Sequence, residues 1–235
     1  MIKAVFFDVD NTLLDFDAYV KTAMKDGFEK FHLGTYTPEH YQTFLAVNGE
    51  LWRRIEKGTL TFEGLLKDRW NEVFKALGIS FDGQEFERYF RAALYTSAIP
   101  MQGAKEILDY LKGRYALCAA SNGPHEQQLN RLKTGGMLEY FDECFISEKV
   151  GASKPSKEYF TRCFSWLNES RKKQGKPEIL PSETLIVGDS LTSDIDGGIK
   201  NGLLTCWLKG EGKGEPGDRK IDYIIHSLAE LKQIL

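Results

Sequence analysis

Two carboxylates, two residues apart, follow a short apolar run near the start of the chain. Asp8 and Asp10 come directly after residues 4–7, whose sequence Ala-Val-Phe-Phe predicts a fully buried strand. Residues two apart on a strand point to the same side, and two carboxylates held that close repel each other unless a cation lies between them. Oxygen ligands of this kind favour a hard ion such as Mg2+. A charged turn that closes a buried strand is an equally good interpretation of this stretch alone.

Polar side chains also follow three later predicted strands. They are Ser121 and Asn122, then Lys154, and then Asp189 with Asp194. The carboxyl ends of the strands of an open parallel sheet meet at one edge, where ligands bind. We therefore expect these side chains to meet Asp8 and Asp10 at that edge. The acids Asp8, Asp10 and Asp189 have no obvious arginine partner in the sequence, which favours a functional cluster over a structural one.

Three of these positions are also compatible with ordinary structural roles. Residues 122–124, Asn-Gly-Pro, are typical of a turn. Lys154 precedes a proline that can begin a helix, where a lysine is often simply solvated. Asp194 can be an acid that the dipole of the following helix stabilises. For each position, the place after a predicted strand is what favours a functional role.

The whole set of groups suits the hydrolysis of a phosphate monoester. Asp8 can attack phosphorus and form an aspartyl-phosphate, and Asp10 can protonate the leaving oxygen and then deprotonate the attacking water. Mg2+ bound by Asp8, the main-chain carbonyl of Asp10 and Asp189 would offset the negative charge that deters this attack. Mn2+ is the expected substitute ion.

The remaining groups are predicted to bind the phosphoryl oxygens or to support the residues that bind them. Ser121 and the amide of Asn122 can donate hydrogen bonds to those oxygens. Lys154 adds a positive charge there and can hold Asp8 ionised. Asp194 is predicted to orient either Lys154 or a metal-bound water.

The elements that must position this cluster alternate between strand and helix. Strands are predicted over residues 4–7, 115–120, 144–146, 184–187, 203–208 and 223–225, the last at the sheet edge. This alternation predicts an α/β fold with a doubly wound, mainly parallel sheet and a Rossmann-like core. Helices are predicted over residues 156–169 and 227–235, with a polar loop from residue 171 to residue 181.

The stretch between the first two strands has a different pattern. Its apolar and aromatic residues recur at helical spacing, and breakers divide them into roughly four helices. We therefore predict a Rossmann-like catalytic core of residues 1–16 and 97–235, interrupted by an all-helical cap domain of residues 17–96.

The composition argues against several classes of partner. The 235 residues carry a formal net charge of −3, which does not favour binding to a nucleic acid polymer. No apolar run approaches the roughly 20 residues that span a bilayer, and the first residues lack a signal-peptide pattern. The four cysteines are widely spaced and form no C-x-x-C pair, which is typical of a reducing compartment. We expect a cytoplasmic protein without a membrane partner, as a monomer or a weak homodimer.

The strand-end motifs resemble those of the haloacid dehalogenase-like (HAD) hydrolase superfamily. In order, they are Asp8-Val9-Asp10-Asn11-Thr12, Ser121-Asn122-Gly123, Lys154-Pro155, and Gly188-Asp189-Ser190 with Asp194. Four motifs in the same order make this resemblance specific, whereas any one alone would be weak. The resemblance implies Mg2+-dependent phosphatase chemistry and a helical cap inserted after the first motif.

Further segments resemble one branch of that superfamily, the cytosolic pyrimidine 5'-nucleotidases. These segments are residues 46–48 with 51–52, residues 146–151, residues 193–198 and residues 205–208. The resemblance implies a nucleoside 5'-monophosphate as the small-molecule substrate. Asn48 and Trp52 lie four residues apart on a predicted helix and share a face, so we name them as candidates for substrate contacts in the cap.

Three other functions fit parts of the same pattern. A sugar-phosphate phosphatase or phosphomutase would use the same core. A 2-haloacid dehalogenase needs the nucleophile but no acid for an alcohol leaving group, so Asp10 argues against it. A catalytically silent phosphate-binding protein would not need the full set of Asp8, Asp10, Lys154 and Asp189.

Overall fold

The computed structural model describes residues 1–210 and 214–235. Within these ranges the sheet strands are β1 (Ala4–Phe7), β2 (Ala116–Ser121), β3 (Glu143–Ile146), β4 (Thr184–Gly188), β5 (Leu204–Leu208) and β6 (Tyr223–Ile225). They lie in the order β3-β2-β1-β4-β5-β6, and each neighbouring pair is parallel. The predicted doubly wound parallel α/β sheet is confirmed, with β6 as an edge strand.

The helices fall into two groups along the chain. Those before β2 are α1 (Phe16–Lys30), α2 (Pro38–Glu56), α3 (Phe62–Leu77), α4 (Gly83–Thr96) and α5 (Ala104–Leu111), and those after it are α6 (His125–Thr134), α7 (Ser147–Val150), α8 (Lys157–Lys173) and α9 (Asp196–Lys200). The chain forms two compact units, Met1–Asp15 with Ala98–Leu235, and Phe16–Ser97. We call the first the core unit and the second the helical unit.

Both faces of the core sheet are buried, and successive residues of each strand point to opposite faces. In β1, Val5 and Phe7 belong to one apolar cluster, which includes the buried face of α5, whereas Ala4 and Phe6 belong to another, which includes that of α8. Because helices cover both faces, the ends of the strands are the places where the sheet is open to a ligand.

The helical unit has its own aromatic core. Trp70 of α3 lies 4.2 Å from Phe86 of α4 and 5.3 Å from Phe44 of α2, measured between ring centroids. Local signals begin its helices: the Thr61 hydroxyl accepts a hydrogen bond from the Gly64 N–H at the start of α3, as expected of an N-cap threonine.

The boundaries of two C-terminal elements were predicted wrongly. Helix α8 continues to Lys173, into the stretch predicted as a polar loop, because its last turn carries cations that suit the negative end of the helix dipole. The predicted final helix is a 3₁₀ helix at Leu228–Gln233. Its start is held by Glu230, which accepts hydrogen bonds from Ser227.

The cysteines and the helices show two further features of the described chain. Cys118, Cys163 and Cys206 are buried and Cys144 is half-buried, all four as free thiols. Burial raises the pKa of the Cys206 thiol to about 12, which makes it a poor nucleophile near neutral pH. None of the helices in residues 1–210 and 214–235 is both long and apolar enough to span a bilayer.

Candidate active site

Asp8 lies at the carboxyl end of β1, where the chain order of the sheet reverses. The chain runs outward from β1 through β2 to β3 and then returns to β4 on the other side of β1. This switch point is where open α/β sheets bind ligands. The Asp8 N–H donates to the Val187 carbonyl at 2.9 Å, which ties the first acid to β4. Asn11 then takes a left-handed conformation with φ of 58°, which asparagine tolerates better than most residues, and the chain turns away.

Lys154 joins three chain segments at this edge. Its buried ammonium donates to Asp8 Oδ1 at 2.6 Å, to Asp194 Oδ1 at 2.7 Å and to the Ala120 carbonyl at 2.5 Å. These three acceptors match the three donors of a lysine ammonium. Burial alone would favour loss of the proton, but Asp194 and Asp8 outweigh burial and raise the pKa of Lys154 above its usual value.

The two carboxylates bound to Lys154 pay a desolvation cost that one lysine does not fully offset. Burial is the main cause that raises the pKa of Asp8 to about 7, with Asp194 and Asp10 adding to the increase and Lys154 opposing it. Burial also raises the pKa of Asp194, against the effect of Lys154 and with added repulsion from Asp189. A further cation at this edge would stabilise the ionised form of Asp8.

The donor atoms at this edge fit a hard divalent ion. Asp8, Asp189 and Asp194 each place a carboxylate oxygen within 4.8 Å of the other two, and an all-oxygen set of this kind suits Mg2+. Asp194 already accepts from Lys154 through Oδ1 and from the Ser190 N–H at 3.1 Å through Oδ2. Asp8 and Asp189 are therefore the better candidates for metal ligands, and Asp194 orients Lys154.

Asp194 reaches Lys154 because Gly188 leaves room for its carboxylate. A Cβ atom on Gly188 would lie 2.2 Å from Asp194 Oδ2, far closer than two such atoms can approach. Asp194 sits in a π-helical turn, Leu191–Ile195, that directly precedes α9. The wider turn arises because the N–H groups of Asp194 and Ile195 both donate to the Ser190 carbonyl.

Asp10 has an arginine partner, which corrects the expectation that the acids of the cluster lack one. Arg131 Nη1 donates to Asp10 Oδ1 at 2.5 Å, and Gln128 Nε2 donates to Asp10 Oδ2 at 2.7 Å. The Arg131 side chain is 1 % exposed and also donates to Gln128 Oε1 at 2.9 Å. Both oxygens of Asp10 are thus fixed from α6.

Sequence reasoning missed Gln128 and Arg131, although a signal for them exists. The two residues are three apart and therefore share a face of α6, and α6 begins just after the Ser121 motif. Polar residues at helical spacing directly after a strand-end motif point toward the same edge as the motif. The sequence alone does not show that this face is buried.

Ser121 and Asn122 are joined to this network from β2. The Ser121 hydroxyl oxygen accepts from Gln128 Nε2 at 2.7 Å and from the Gly123 N–H at 3.1 Å, which leaves its hydrogen to donate to a ligand. The Asn122 carboxamide instead exchanges two hydrogen bonds of 2.9 Å with the main chain of Lys154. Its side chain positions Lys154, so a contact from Asn122 to a ligand falls to its main-chain N–H.

The predicted residues of the core unit therefore converge, whereas Asn48 and Trp52 belong to the helical unit. Asn48 is buried and accepts a hydrogen bond of 3.4 Å from Arg69, which is paired with Glu87. Trp52 is half-buried and packs on Phe62 with ring centroids 5.9 Å apart. These contacts give both residues structural roles within the helical unit, and their contact with substrate stays a prediction.

Comparison with known proteins places this arrangement among hydrolases. The family model described as haloacid dehalogenase-like hydrolase matches residues 2–202. The HAD-hydrolase YfnB of Bacillus subtilis is 33% identical over 99% of this chain and 95% of its own. The pyrimidine 5'-nucleotidase YjjG of Escherichia coli is 32% identical over 98% of this chain and 96% of its own. PynA of Streptococcus pneumoniae, also named a pyrimidine 5'-nucleotidase, is 29% identical over 99% of this chain and 94% of its own.

The fold of this chain is also found in a crystal structure of one of these relatives. The crystal structure of YfnB from Bacillus subtilis, described as bound to magnesium and as revealing interdomain movement, superposes with a TM-score of 0.87. The match covers 100% of this chain and 98% of YfnB, at 32% identity. The matched residues include Asp8, Ser121, Lys154 and Asp189, which the fold brings to one edge of the sheet. The chain belongs to the haloacid dehalogenase-like hydrolase family.

Proposed function

We propose that this chain is a Mg2+-dependent phosphomonoesterase that works through an aspartyl-phosphate on Asp8 and acts on nucleoside 5'-monophosphates, above all those of pyrimidines. The observation that carries the chemistry is the buried contact of 2.6 Å between Asp8 and Lys154, with Asp10 fixed two residues further on. The names of YjjG and PynA, at 32% and 29% identity, support the substrate class.

In the first proposed step, a carboxylate oxygen of Asp8 attacks the phosphorus of the monoester. A bond from Asp8 to phosphorus forms as the bond from phosphorus to the ester oxygen breaks, and protonated Asp10 gives its proton to the leaving oxygen. The Ser121 hydroxyl, the Asn122 N–H and the Lys154 ammonium stabilise the negative charge on the phosphoryl oxygens.

In the second proposed step, water releases the phosphoryl group. Asp10, now ionised, takes a proton from the water, whose oxygen bonds to phosphorus as the bond to Asp8 breaks. Orthophosphate leaves and the Asp8 carboxylate is restored. The hydrogen bonds from Arg131 and Gln128 keep the Asp10 carboxylate oriented for this proton transfer.

The proposed metal ion is suggested by the oxygen atoms that the site can offer as ligands. Asp8, the main-chain carbonyl of Asp10 and Asp189 would hold Mg2+, which offsets the negative charge of the phosphate and of the attacking carboxylate. We expect Mn2+ to substitute, because both ions accept oxygen ligands. The YfnB structure, described as bound to magnesium, supports this choice of ion.

The domain roles are also part of the proposal. We assign catalysis to residues 1–16 and 97–235 and the role of a cap to residues 17–96, within which α1–α4 form a compact unit. Asn48 and Trp52 are the proposed contacts for the nucleoside. If Trp52 has this role, Trp52→Ala will raise KM for nucleotides more than KM for p-nitrophenyl phosphate.

Release of orthophosphate from a panel of phosphate esters tests the proposal. The panel contains pyrimidine and purine mononucleotides and hexose phosphates, each with Mg2+, with Mn2+ and with a chelator. We expect turnover with either ion, none with the chelator, and the highest kcat/KM for pyrimidine mononucleotides. Faster turnover of hexose phosphates would overturn the substrate class, and release of chloride from 2-chloropropionate without metal would overturn the chemistry.

A further inference from the structure

A cavity lies at the amino ends of the core strands, opposite the carboxyl ends where Asp8 lies. Its volume is about 640 Å3, within the range of about 300–1,000 Å3 that is typical of small-molecule sites. It is lined by residues 1–3 before β1, by residues 112–117 around the start of β2 and by the end of α8. The four residues of β1, which span roughly 13 Å, separate it from the catalytic edge.

The side chains around this cavity are mainly cationic. Among the described residues, the cations that line it are Lys3, Lys112, Arg114, Arg171 and Lys176. Its acidic lining residues are Glu139 and Asp142, and Glu183 pairs with Lys3 from outside the lining, so five positive and three negative side chains leave a local surplus of two positive charges. The whole chain carries a net charge of −3. The cavity therefore has the opposite sign to the protein and favours an anionic ligand.

A structural explanation accounts for only part of this charge. Arg171 lies in the last turn of α8, where the helix dipole favours a cation, and Lys3 pairs with Glu183 at 2.5 Å. Lys112 has a neutral partner, since its ammonium lies 4.7 Å from the centroid of the Tyr140 ring. The Arg171 Nε donates to the neutral Pro177 carbonyl at 2.8 Å. These two contacts hold the side chains without compensating their charge.

The floor of the cavity is apolar. Leu117 and Leu167 line it but are each only 1 % exposed, so the apolar surface that a ligand can contact comes from Ile2 and Phe141, which are half-buried. A cationic rim over an apolar floor suits a ligand that has both a multiply charged group and an apolar body. Orthophosphate alone would compensate the positive charge of the rim, but it has no apolar group that could contact the floor.

We propose that this cavity binds a nucleoside di- or triphosphate, at a site separate from the catalytic edge. The fork of an arginine binds phosphate oxygens in pairs, and lysine supplies mobile point charges. Cations from the turn after α5 and from the end of α8 line the same cavity and would bind the phosphates, while its apolar side chains would contact the nucleoside. This proposal does not depend on the identity of the catalytic substrate.

Titration calorimetry in the absence of divalent cations tests this site with ATP, inorganic tripolyphosphate and citrate. The variant Lys112→Ala/Lys176→Ala removes two exposed cations from the cavity, and Lys112→Arg/Lys176→Arg keeps their charge. The matched control Lys172→Ala/Lys173→Ala removes two charges from the adjacent surface of α8, since neither residue lines the cavity. Hydrolysis of p-nitrophenyl phosphate monitors the catalytic edge in each variant.

We expect ATP to bind the unaltered protein, and the alanine variant of the cavity to lose about tenfold or more in affinity. The arginine variant and the α8 control should bind as the unaltered protein does, and all variants should keep their phosphatase activity. Tripolyphosphate should bind less tightly than ATP, because it lacks the apolar body. Equal ATP affinity in the cavity variant and the α8 control, or no ATP binding at all, would overturn the site. Citrate binding as tight as that of ATP would overturn the ligand class.

Discussion

Lys154 Nζ lies 2.7 Å from Asp194 Oδ1 inside the core unit, and neither side chain is more than 1 % exposed. Lys154 also contacts Asp8, the proposed nucleophile. Asp194, which lies 40 positions after Lys154 in the chain, therefore helps to position Asp8 through this buried cation. The site is therefore assembled by packing between strand ends, and Lys154 is a structural support there in addition to its proposed role in binding phosphate.

Removal of the Lys154 charge is expected to cost stability as well as activity. Lys154→Met leaves Asp8 and Asp194 buried without a cation, and loss of one partner of a buried pair costs about 3–5 kcal/mol. The free energy of unfolding, measured in urea, should fall by about this amount. In Lys154→Met/Asp194→Asn the loss should be smaller than the sum of the single losses. Additive losses would show that the two residues do not act as a pair.

A substitution at Gly188, the last residue of β4, tests the same contact between Asp194 and Lys154. Gly188→Ala would place a Cβ atom 2.2 Å from Asp194 Oδ2, so the carboxylate must move and Lys154 loses its anchor. We expect kcat to fall by about tenfold to a hundredfold, as for other small misplacements of reacting groups. Gly214→Ala is the control, since a Cβ atom there meets nothing within 4 Å. Equal kcat values for the two variants would contradict this role for Gly188.

Arg131 is expected to act as a positioning residue for Asp10. Arg131→Met removes the hydrogen bond of 2.5 Å to Asp10 Oδ1, so kcat should fall by about tenfold or more while KM changes little. Arg131→Lys should recover part of the activity because it keeps the charge. Lys133→Met, two residues along on the exposed side of α6, provides the control. If kcat of Arg131→Met matches that of the control, Asp10 does not need this partner.

Asp10 itself should contribute through proton transfer. In Asp10→Asn the leaving oxygen receives no proton and the water has no base, so kcat should fall by about 10²- to 10⁴-fold. A substrate with a good leaving group, such as p-nitrophenyl phosphate, needs the acid less and should lose less activity in the first step. A variant that slows by less than about tenfold on nucleotides would limit Asp10 to metal binding through its main chain.

The main features of the fold were predictable because they depend on local sequence. Buried runs such as residues 4–7 indicate strands, the alternation of these runs with helices predicts a parallel sheet, and polar residues after the runs locate the candidate site. The placement of Asp8, Lys154 and Asp189 at one edge follows from that topology alone. Motif order then favours one chemistry over its rivals.

The details that were missed depend on packing between distant segments. The burial of Arg131 arises from contact of α6 with the carboxyl ends of the strands, and no local pattern shows this. The π-helical turn at Asp194 depends on two hydrogen bonds to the Ser190 carbonyl, and the position of its carboxylate depends on the space left by Gly188. The cationic cavity joins residues 3, 112 and 176, which no sequence window connects.

The most direct test of the central claim is to trap the phosphorylated nucleophile. The protein is mixed with a pyrimidine mononucleotide and Mg2+, quenched within one turnover, and treated with borohydride, which reduces an acyl phosphate to an alcohol. Peptide mass spectrometry should then find homoserine in place of aspartate at residue 8. Asp8→Asn should show neither this product nor turnover, whereas Asp26→Asn, at an exposed site on α1, should show both. Reduction at another carboxylate, or turnover by Asp8→Asn, would contradict the account.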